Sequence, residues 1–321
     1  MKIAVIGLGF VGLSLASVLA SKGNKVVGID VDVKKCKKIC DGITPFFEPD
    51  LEKTLKTGLK KNLTISDDFS LVKDSDMIFV AVGTPQKSNG AIELSMIKKA
   101  VTSIGRILAK SKKDKIVLIK STVTPGTMQN IILPILEKIS GKKAGKHFGL
   151  ISNPEFLQES TAIRDTKFPH VIVLGGYQTK FMKKAKSFFS KLHPNVPITI
   201  TNHQTAEMIK YANNSFLATK ISFINQLSNI CQNIPGANID DIAKTIGLDP
   251  RIGALFLNAG PGYGGSCLPK DMKALISFAD KIGINPTLLN AVEKINQKQI
   301  QNIISLMEKT LGTLASKRIT V

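Results

Sequence analysis

Tryptophan is absent, tyrosine occurs three times, and aromatics make up only 6% of the 321 residues. Arginine is scarce too: Arg106, Arg164, Arg251 and Arg318 stand within a total of 44 basic residues, so lysine carries the formal charge of +20. Proteins that read nucleic acids lean on arginine forks and stacking aromatics. A lysine excess spread along the chain reads instead as solvated surface with some bias toward phosphate-bearing ligands, and no nucleic-acid partner is expected. The four cysteines, at 36, 40, 231 and 267, make no disulfide framework. Cys36 and Cys40 lie in a lysine-rich helical segment with no nearby histidine, so no metal site is expected. Residues 3 to 20 are the one stretch long and apolar enough to raise a signal peptide or membrane span, and their glycines are spaced for a phosphate turn instead. A cytoplasmic protein with no membrane partner is expected. The length exceeds one ordinary core, and 43% hydrophobic residues is ample for two or more.

What is present begins at residue 1. Lys2 to Ile6 reads as a short strand running into Gly7-Leu-Gly9-Phe10-Val11-Gly12; a helix pattern follows to about Ala20, and Lys25 to Asp30 reads as a second strand ending in an acid. This is the dinucleotide fingerprint in its required setting: Gly7 for the tight turn, Gly9 for approach of a pyrophosphate, Gly12 for helix packing, Asp30 for ribose hydroxyls. Val31 stands where an NADP enzyme would often place arginine, so NAD is the expected cofactor.

Strands and helices continue to alternate. Met77–Val82 ends at Gly83-Thr84-Pro85, Ile116–Ile119 at Ser121-Thr122-Val123, and Phe148–Ser152 at Asn153-Pro154-Glu155; Val171–Gly175 and Ile198–Thr201 read as closing strands. Ligands bind at the carboxyl edge of a parallel sheet, so Thr84, Thr122 and Glu155 are expected to converge there. The fold class is α/β, a doubly wound parallel sheet of Rossmann type followed by an all-α domain. Residues 205 to about 232 contain no proline or glycine and predict one long helix, capped by Thr205 or Asn202. On it Lys210 and Asn214, four apart, share a face and form a candidate oxyanion donor pair. Further helices are expected from 240 to 246, from 269 to about 282, and from 287 to 311. The domain plan read from the pattern is 1–203 for NAD binding and 204–312 for a helical module, with 313–321 beyond it.

The run Gly260-Pro-Gly-Tyr-Gly-Gly-Ser-Cys-Leu-Pro-Lys-Asp271 adds a chemistry. A lone thiol follows a glycine turn and precedes Pro269, a residue favoured at a helix start, so Cys267 is expected near the helix's positive end. That place favours thiolate. Lys270 adds positive charge, and Asp271 supplies a carboxylate one turn beyond the sulfur. An inert buried cysteine in a glycine-rich loop is the alternative.

These motifs, with GITPFFEPDL at 42–51, VGTP at 82–85, STVTPGT at 121–127, NPEFLQES at 153–160, the helix segment at 206–225 and LDPRIG at 248–253, resemble in order and spacing the UDP-glucose/GDP-mannose dehydrogenase family, over essentially the whole chain. The resemblance implies a four-electron oxidation of a nucleotide sugar's primary alcohol to a carboxylate with two NAD molecules, through a thiohemiacetal and a thioester on Cys267. It implies Glu155 as general base for hydrolysis, with Thr122 helping hold the water, Lys210 and Asn214 as oxyanion donors, and Asp271 in proton handling. The cofactor would touch Gly7, Gly9, Phe10, Val11, Gly12, Asp30, Lys35, Thr84, Thr122, Glu159 and Lys270. The sugar nucleotide would meet Glu155, Phe156, Leu157, Lys210, Asn214, Phe256, Leu257, Asn258 and Gly264, and Arg251 would reach the neighbouring subunit's substrate, implying a homodimer around the long helix.

Gln158 and Gln226 depart from residues that relatives often carry. Lys317–Val321 reads as the opening of a strand, and such relatives continue into another Rossmann-like domain, so the chain is read as truncated. UDP-glucose is the expected substrate, with GDP-mannose and UDP-N-acetylmannosamine as alternatives. A two-electron hydroxyacid dehydrogenase and a catalytically incomplete NAD-binding fragment are the other classes left open.

Overall fold

Short apolar strands, most of them Val- and Ile-rich and buried on both faces, alternate with helices, α1 buried nearly all round and most others along one stripe, and that alternation builds the first of two compact units. The computed structural model describes residues 1–177 and 179–320. In chain order the elements are β1 (Lys2–Ile6), α1 (Phe10–Ser21), β2 (Lys25–Ile29), α2 (Val33–Cys40), α3 (Leu51–Leu59), β3 (Leu63–Ser66), β4 (Met77–Val80), α4 (Ser95–Lys110), β5 (Lys115–Ile119), α5 (Leu133–Ser140), β6 (Phe148–Ser152), α6 (Ala162–Lys167), β7 (Ile172–Gly176), α7 (Lys180–Leu192) and β8 (Ile198–Thr201). Helix α4 shows the rule: Ile97, Val101, Ile104 and Leu108 recur at helical spacing and are buried, while its other face is lysine- and serine-rich. Strands β4 and β5 are buried throughout, as a parallel sheet covered on both faces requires.

The sheet order is β3-β2-β1-β4-β5-β6-β7-β8. Strands β3 to β6 pair in parallel, whereas β7 runs antiparallel to β6, with β8 parallel to β7. The doubly wound parallel sheet expected from the sequence forms, with its last two strands reversed. With β7 antiparallel to β6, the chain re-enters the sheet from the edge at which β6 leaves it, and the return contains only the six-residue α6 in place of a longer crossover helix. Strand β3 and helices α3 to α7 complete the layers.

The second unit comprises residues 86–91 with 211 onward, while residues up to Lys210 otherwise belong to the first. Its helices are α8 (His203–Cys231), whose first turns lie in the first unit, α9 (Ile239–Gly247), α10 (Leu268–Lys281) and α11 (Thr287–Leu311). Asn202 accepts the Thr205 N–H at 2.8 Å, which caps α8, and Gly312 ends α11 with φ +75°. A small core of Ala218, Tyr263, Met272 and Val292, ringed by Ile221, Leu268, Ile276 and Leu289, joins α8, α10 and α11. The strand expected to open at Lys317 does not form through residue 320, where the segment has no partner strand; Val321 lies outside the described residues. Among the described residues no helix is long and apolar enough to cross a membrane.

Candidate active site

Strand β1 is flanked by β2 on one side and β4 on the other, which places the topological switch at its carboxyl end. Gly7 stands there with φ +89°, where a Cβ would lie 2.8 Å from the Ala81 carbonyl oxygen, so only glycine turns the chain at this point. Helix α1 packs so closely that a Cβ on Gly12 would come within 1.8 Å of the Gly7 carbonyl oxygen. A Cβ at Gly9, by contrast, would meet no atom within 4 Å, and no side chain caps α1. Open space before the unfilled amino end of a helix suits a pyrophosphate. Phe10 and Val11 open the helix half-buried.

Asp30 follows β2. Its carboxylate accepts the Leu8 N–H at 2.7 Å and the Asp32 N–H at 3.1 Å, and Lys35 Nζ lies 2.5 Å away. Burial pushes this carboxyl up, but the hydrogen bonds from Lys35 and the two backbone amides outweigh it and hold it below the usual carboxylate range. A fixed anion of this kind accepts ribose hydroxyls and repels a 2′-phosphate. The exposed Val31 supplies no cation to offset that repulsion.

The same edge continues through β4, β5 and β6, whose ends are in register at Val80, Ile119 and Ser152. Thr84, Thr122 and Glu155 leave from it, Thr84 and Glu155 buried and Thr122 half-buried. Glu155 Oε1 lies 3.0 Å from Lys210 Nζ, both side chains buried, and Glu155 Oε2 accepts the Leu157 N–H at 2.6 Å. The Lys210 ammonium also stands 5.5 Å from the centre of the Phe156 ring. A carboxylate and an ammonium held without water between them can exchange a proton with a third group placed at either one.

Two groups of this edge escaped the sequence reading. Lys120 directly follows β5, and its Nζ donates to Asn153 O at 3.3 Å and Asn153 Oδ1 at 3.2 Å. Burial pushes its amine down to about 8, with Glu155 opposing and Lys210 adding to the shift. The signal was an apolar strand that ends on a lysine. Glu207, one turn before Lys210 on α8, accepts the Gly126 and Met128 N–H groups, each at 2.7 Å. Burial pushes its carboxyl up to about 7 against those amide bonds. It caps the turn that carries the segment after Thr122, a job invisible without the tertiary pairing.

In the second unit Cys267 is exposed and is itself the N-cap of α10, with Pro269 in the first turn. The thiol therefore sits at the positive end of a 14-residue helix. Ser266 Oγ lies 3.6 Å from the sulfur. Asp271, one turn on, is buried and accepts from Asn214 Nδ2 at 2.7 Å and from Lys270 Nζ at 2.5 Å. Lys210 and Asn214, expected as a donor pair, thus share α8 but are engaged by different carboxylates.

Leu257 is buried and Asn258 exposed, while Phe256 between Leu255 and Leu257 takes φ +65°. Gly264 and Glu159 are exposed. Arg251 is exposed and forks onto Asp249, with its NH2 group at 2.6 Å.

Family models for the UDP-glucose/GDP-mannose dehydrogenase family match this chain twice, the NAD binding domain over residues 1–193 and the central domain over 204–298. The chain belongs to that family. It is an NAD-dependent nucleotide-sugar dehydrogenase by that membership. It is 39% identical to UDP-glucose 6-dehydrogenase AglM of Haloferax volcanii, across all of this chain and 75% of that protein. It is 37% identical to GDP-mannose 6-dehydrogenase of Pseudomonas syringae pv. tomato, across 96% of this chain and 70% of that one. A solved UDP-glucose dehydrogenase from the hyperthermophilic archaeon Pyrobaculum islandicum superposes with a TM-score of 0.90 at 33% identity, covering 98% of this chain and 72% of that chain. The family carries NAD, and the open cradle at Gly9 with the fixed carboxylate of Asp30 fits that cofactor.

Proposed function

We propose that this enzyme oxidises UDP-glucose to UDP-glucuronate through covalent intermediates on Cys267. The observation that carries the reading is the exposed thiol at the N-terminus of α10, in a family member whose buried Glu155–Lys210 pair supplies a base and an oxyanion partner. Bound NAD supplies the hydride acceptor, two molecules in succession for the four electrons. Gly7, Gly9, Phe10, Val11, Gly12, Asp30, Lys35, Thr84, Thr122, Glu159 and Lys270 would hold it.

On the protein side, Lys210 and Asn214 donate to the substrate oxygen as negative charge builds on it. The Cys267 thiolate attacks the aldehyde carbon, a C–S bond forms, and the carbonyl electron pair moves to oxygen, where a donor supplies the proton. After the second oxidation the acyl group is a thioester on Sγ. Glu155 takes a proton from water, positioned with help from Thr122, as that water attacks the acyl carbon; the C–S bond breaks and the thiolate leaves. Asp271, hydrogen-bonded to Asn214 and Lys270, keeps Asn214 oriented and assists proton handling. Phe156, Leu157, Phe256, Leu257, Asn258 and Gly264 would line the sugar nucleotide.

We assign residues 1–203 to NAD binding and 204–312 to a central domain that pairs with a second copy, giving a homodimer in the cytoplasm. Phe216, Phe223 and Ile230 recur every seven residues along α8 and are all exposed, an apolar stripe suited to such a partner, and Arg251 would reach the neighbouring substrate.

The test is the number of NADH formed per UDP-glucose consumed. Two is the expected result, with Cys267→Ser halting acid formation by about a thousandfold or more, the usual scale for a lost covalent nucleophile. One NADH per sugar, unchanged in Cys267→Ser, would mean simple alcohol oxidation instead. Turnover of GDP-mannose in place of UDP-glucose would reassign the substrate.

A further inference from the structure

The loop that leads into Cys267 is held by side chains of a helix more than twenty residues further along the chain. Asn296 of α11 makes a two-way contact with the backbone of Tyr263: its Oδ1 accepts the Tyr263 N–H at 2.8 Å and its Nδ2 donates to the Tyr263 carbonyl at 3.0 Å. An amide side chain used this way imitates a neighbouring strand, satisfying both backbone groups of one residue. Gln299, one turn along α11, donates to the Gly260 carbonyl at 2.9 Å. Asn225 of α8 accepts the Gly260 N–H at 2.8 Å. The Tyr263 ring is buried in the core of this unit, and its hydroxyl donates to Glu293 at 2.9 Å.

Gly262 shows how close the fit is. Its φ is +101°, and a Cβ there would stand 2.4 Å from Asn296 Oδ1. The helix side chain therefore occupies the place where any larger residue of the loop would begin. From Tyr263 only Gly264, Gly265 and Ser266 separate the clamped backbone from the sulfur, and two glycines resist bending poorly on their own. The orientation of the thiol depends on where that anchor is set.

We propose that Asn296 is a positioning residue for Cys267, fixing the glycine-rich loop so that the sulfur stays at the N-terminus of α10. The proposal rests on Cys267 being the nucleophile. Asn296 touches neither substrate nor cofactor in this role; it acts through the loop. Gln299 and Asn225 support it at the far end of the loop, and Glu293 fixes the Tyr263 ring.

The experiment uses the full chain with Asn296→Ala, Asn296→Asp and, as a control on the exposed face of the same helix, Lys294→Ala. Asn296→Asp keeps the acceptor for the Tyr263 N–H but loses the donor to its carbonyl, and so serves if the alanine variant fails to fold. Hydrogen exchange of the Tyr263 region, the pH dependence of Cys267 alkylation by iodoacetamide, and kcat with UDP-glucose are measured together. In Asn296→Ala we expect exchange to quicken by tenfold or more, the alkylation profile to change as the thiol leaves the helix end, and kcat to fall at least tenfold. KM for NAD should stay at the wild-type value, and Lys294→Ala should change none of these. Faster exchange with an unchanged alkylation profile and unchanged kcat would make Asn296 merely structural and overturn the proposal. A wild-type chain that makes no NADH from any nucleotide sugar would sink the functional reading alone, because exchange and the alkylation profile would still decide for or against Asn296.

Discussion

The two ends of strand β5 each hold a lysine, and they do opposite things. Lys115 at the amino end is 1% exposed and donates to the Lys73 and Ser75 carbonyls, both at 2.6 Å. Burial pushes its amine down, with Asp76 and Asp74 pulling the other way, but its donors are spent on backbone carbonyls. Lys120 at the carboxyl end stands in a charged group, bonded to Asn153 and coupled to Glu155 and Lys210. The difference is one of topology. In a parallel sheet the loops after the carboxyl ends are free to carry chemistry, while the amino ends must be closed off. A buried lysine is thus no marker of function by itself, and its neighbours decide.

The sharpest way to break this contrast is Glu155→Gln, which keeps the shape and the acceptor for Lys210 but removes the base. Turnover should fall by about 10²- to 10⁴-fold, the range for lost general-base catalysis, with acyl-enzyme accumulating on Cys267 by mass spectrometry. A fall of less than threefold would remove Glu155 from the reaction.

Lys120 sharpens the comparison through pH. Its folded amine titrates near 8, below the ordinary lysine value, so below pH 8 the fold bears the cost of a buried charge. That cost is relieved as pH rises from about 8 to the unfolded value, where the unfolded chain still holds the proton and the native state has released it. Wild-type unfolding free energy should therefore climb relative to Lys120→Met by up to about 3 kcal/mol over that window, read by denaturant titration at several pH values. Parallel curves for the two proteins would refute the shift. Lys115→Met should do less and do it differently, costing about 1–2 kcal/mol by removing the charged donor to two carbonyls, while kcat per folded molecule stays at the wild-type value. A loss of kcat in Lys115→Met would erase the distinction between the edges.

The carboxyl edge was legible because its signal is local: each apolar strand ends in a short polar tripeptide, and three such endings in alternation with helices imply one shared edge. The fingerprint at Gly7 to Gly12 and Asp30 is equally local, and α11 spans Thr287–Leu311 as expected from the sequence. Glu207 and Asn296 were not legible, since each looks like an ordinary polar helix residue until the loop it holds is brought to it from 79 or 33 residues away. Reversal of β7 was hidden for a related reason: a strand's own sequence carries no sign of its direction.

The amino-acid sequence by itself determined most of the strands and helices and the glycine turn of the NAD-binding domain, because hydrophobic period and glycine φ freedom act within a few residues. Only the tertiary structure decided which carboxylate meets which amine: Lys210 takes Glu155, 55 positions earlier, while Asn214, one turn along the same helix, takes Asp271, 57 positions later. Those partners follow from how buried faces pack. A buried charge or amide must be satisfied by whatever that packing delivers, and no spacing in the chain records it.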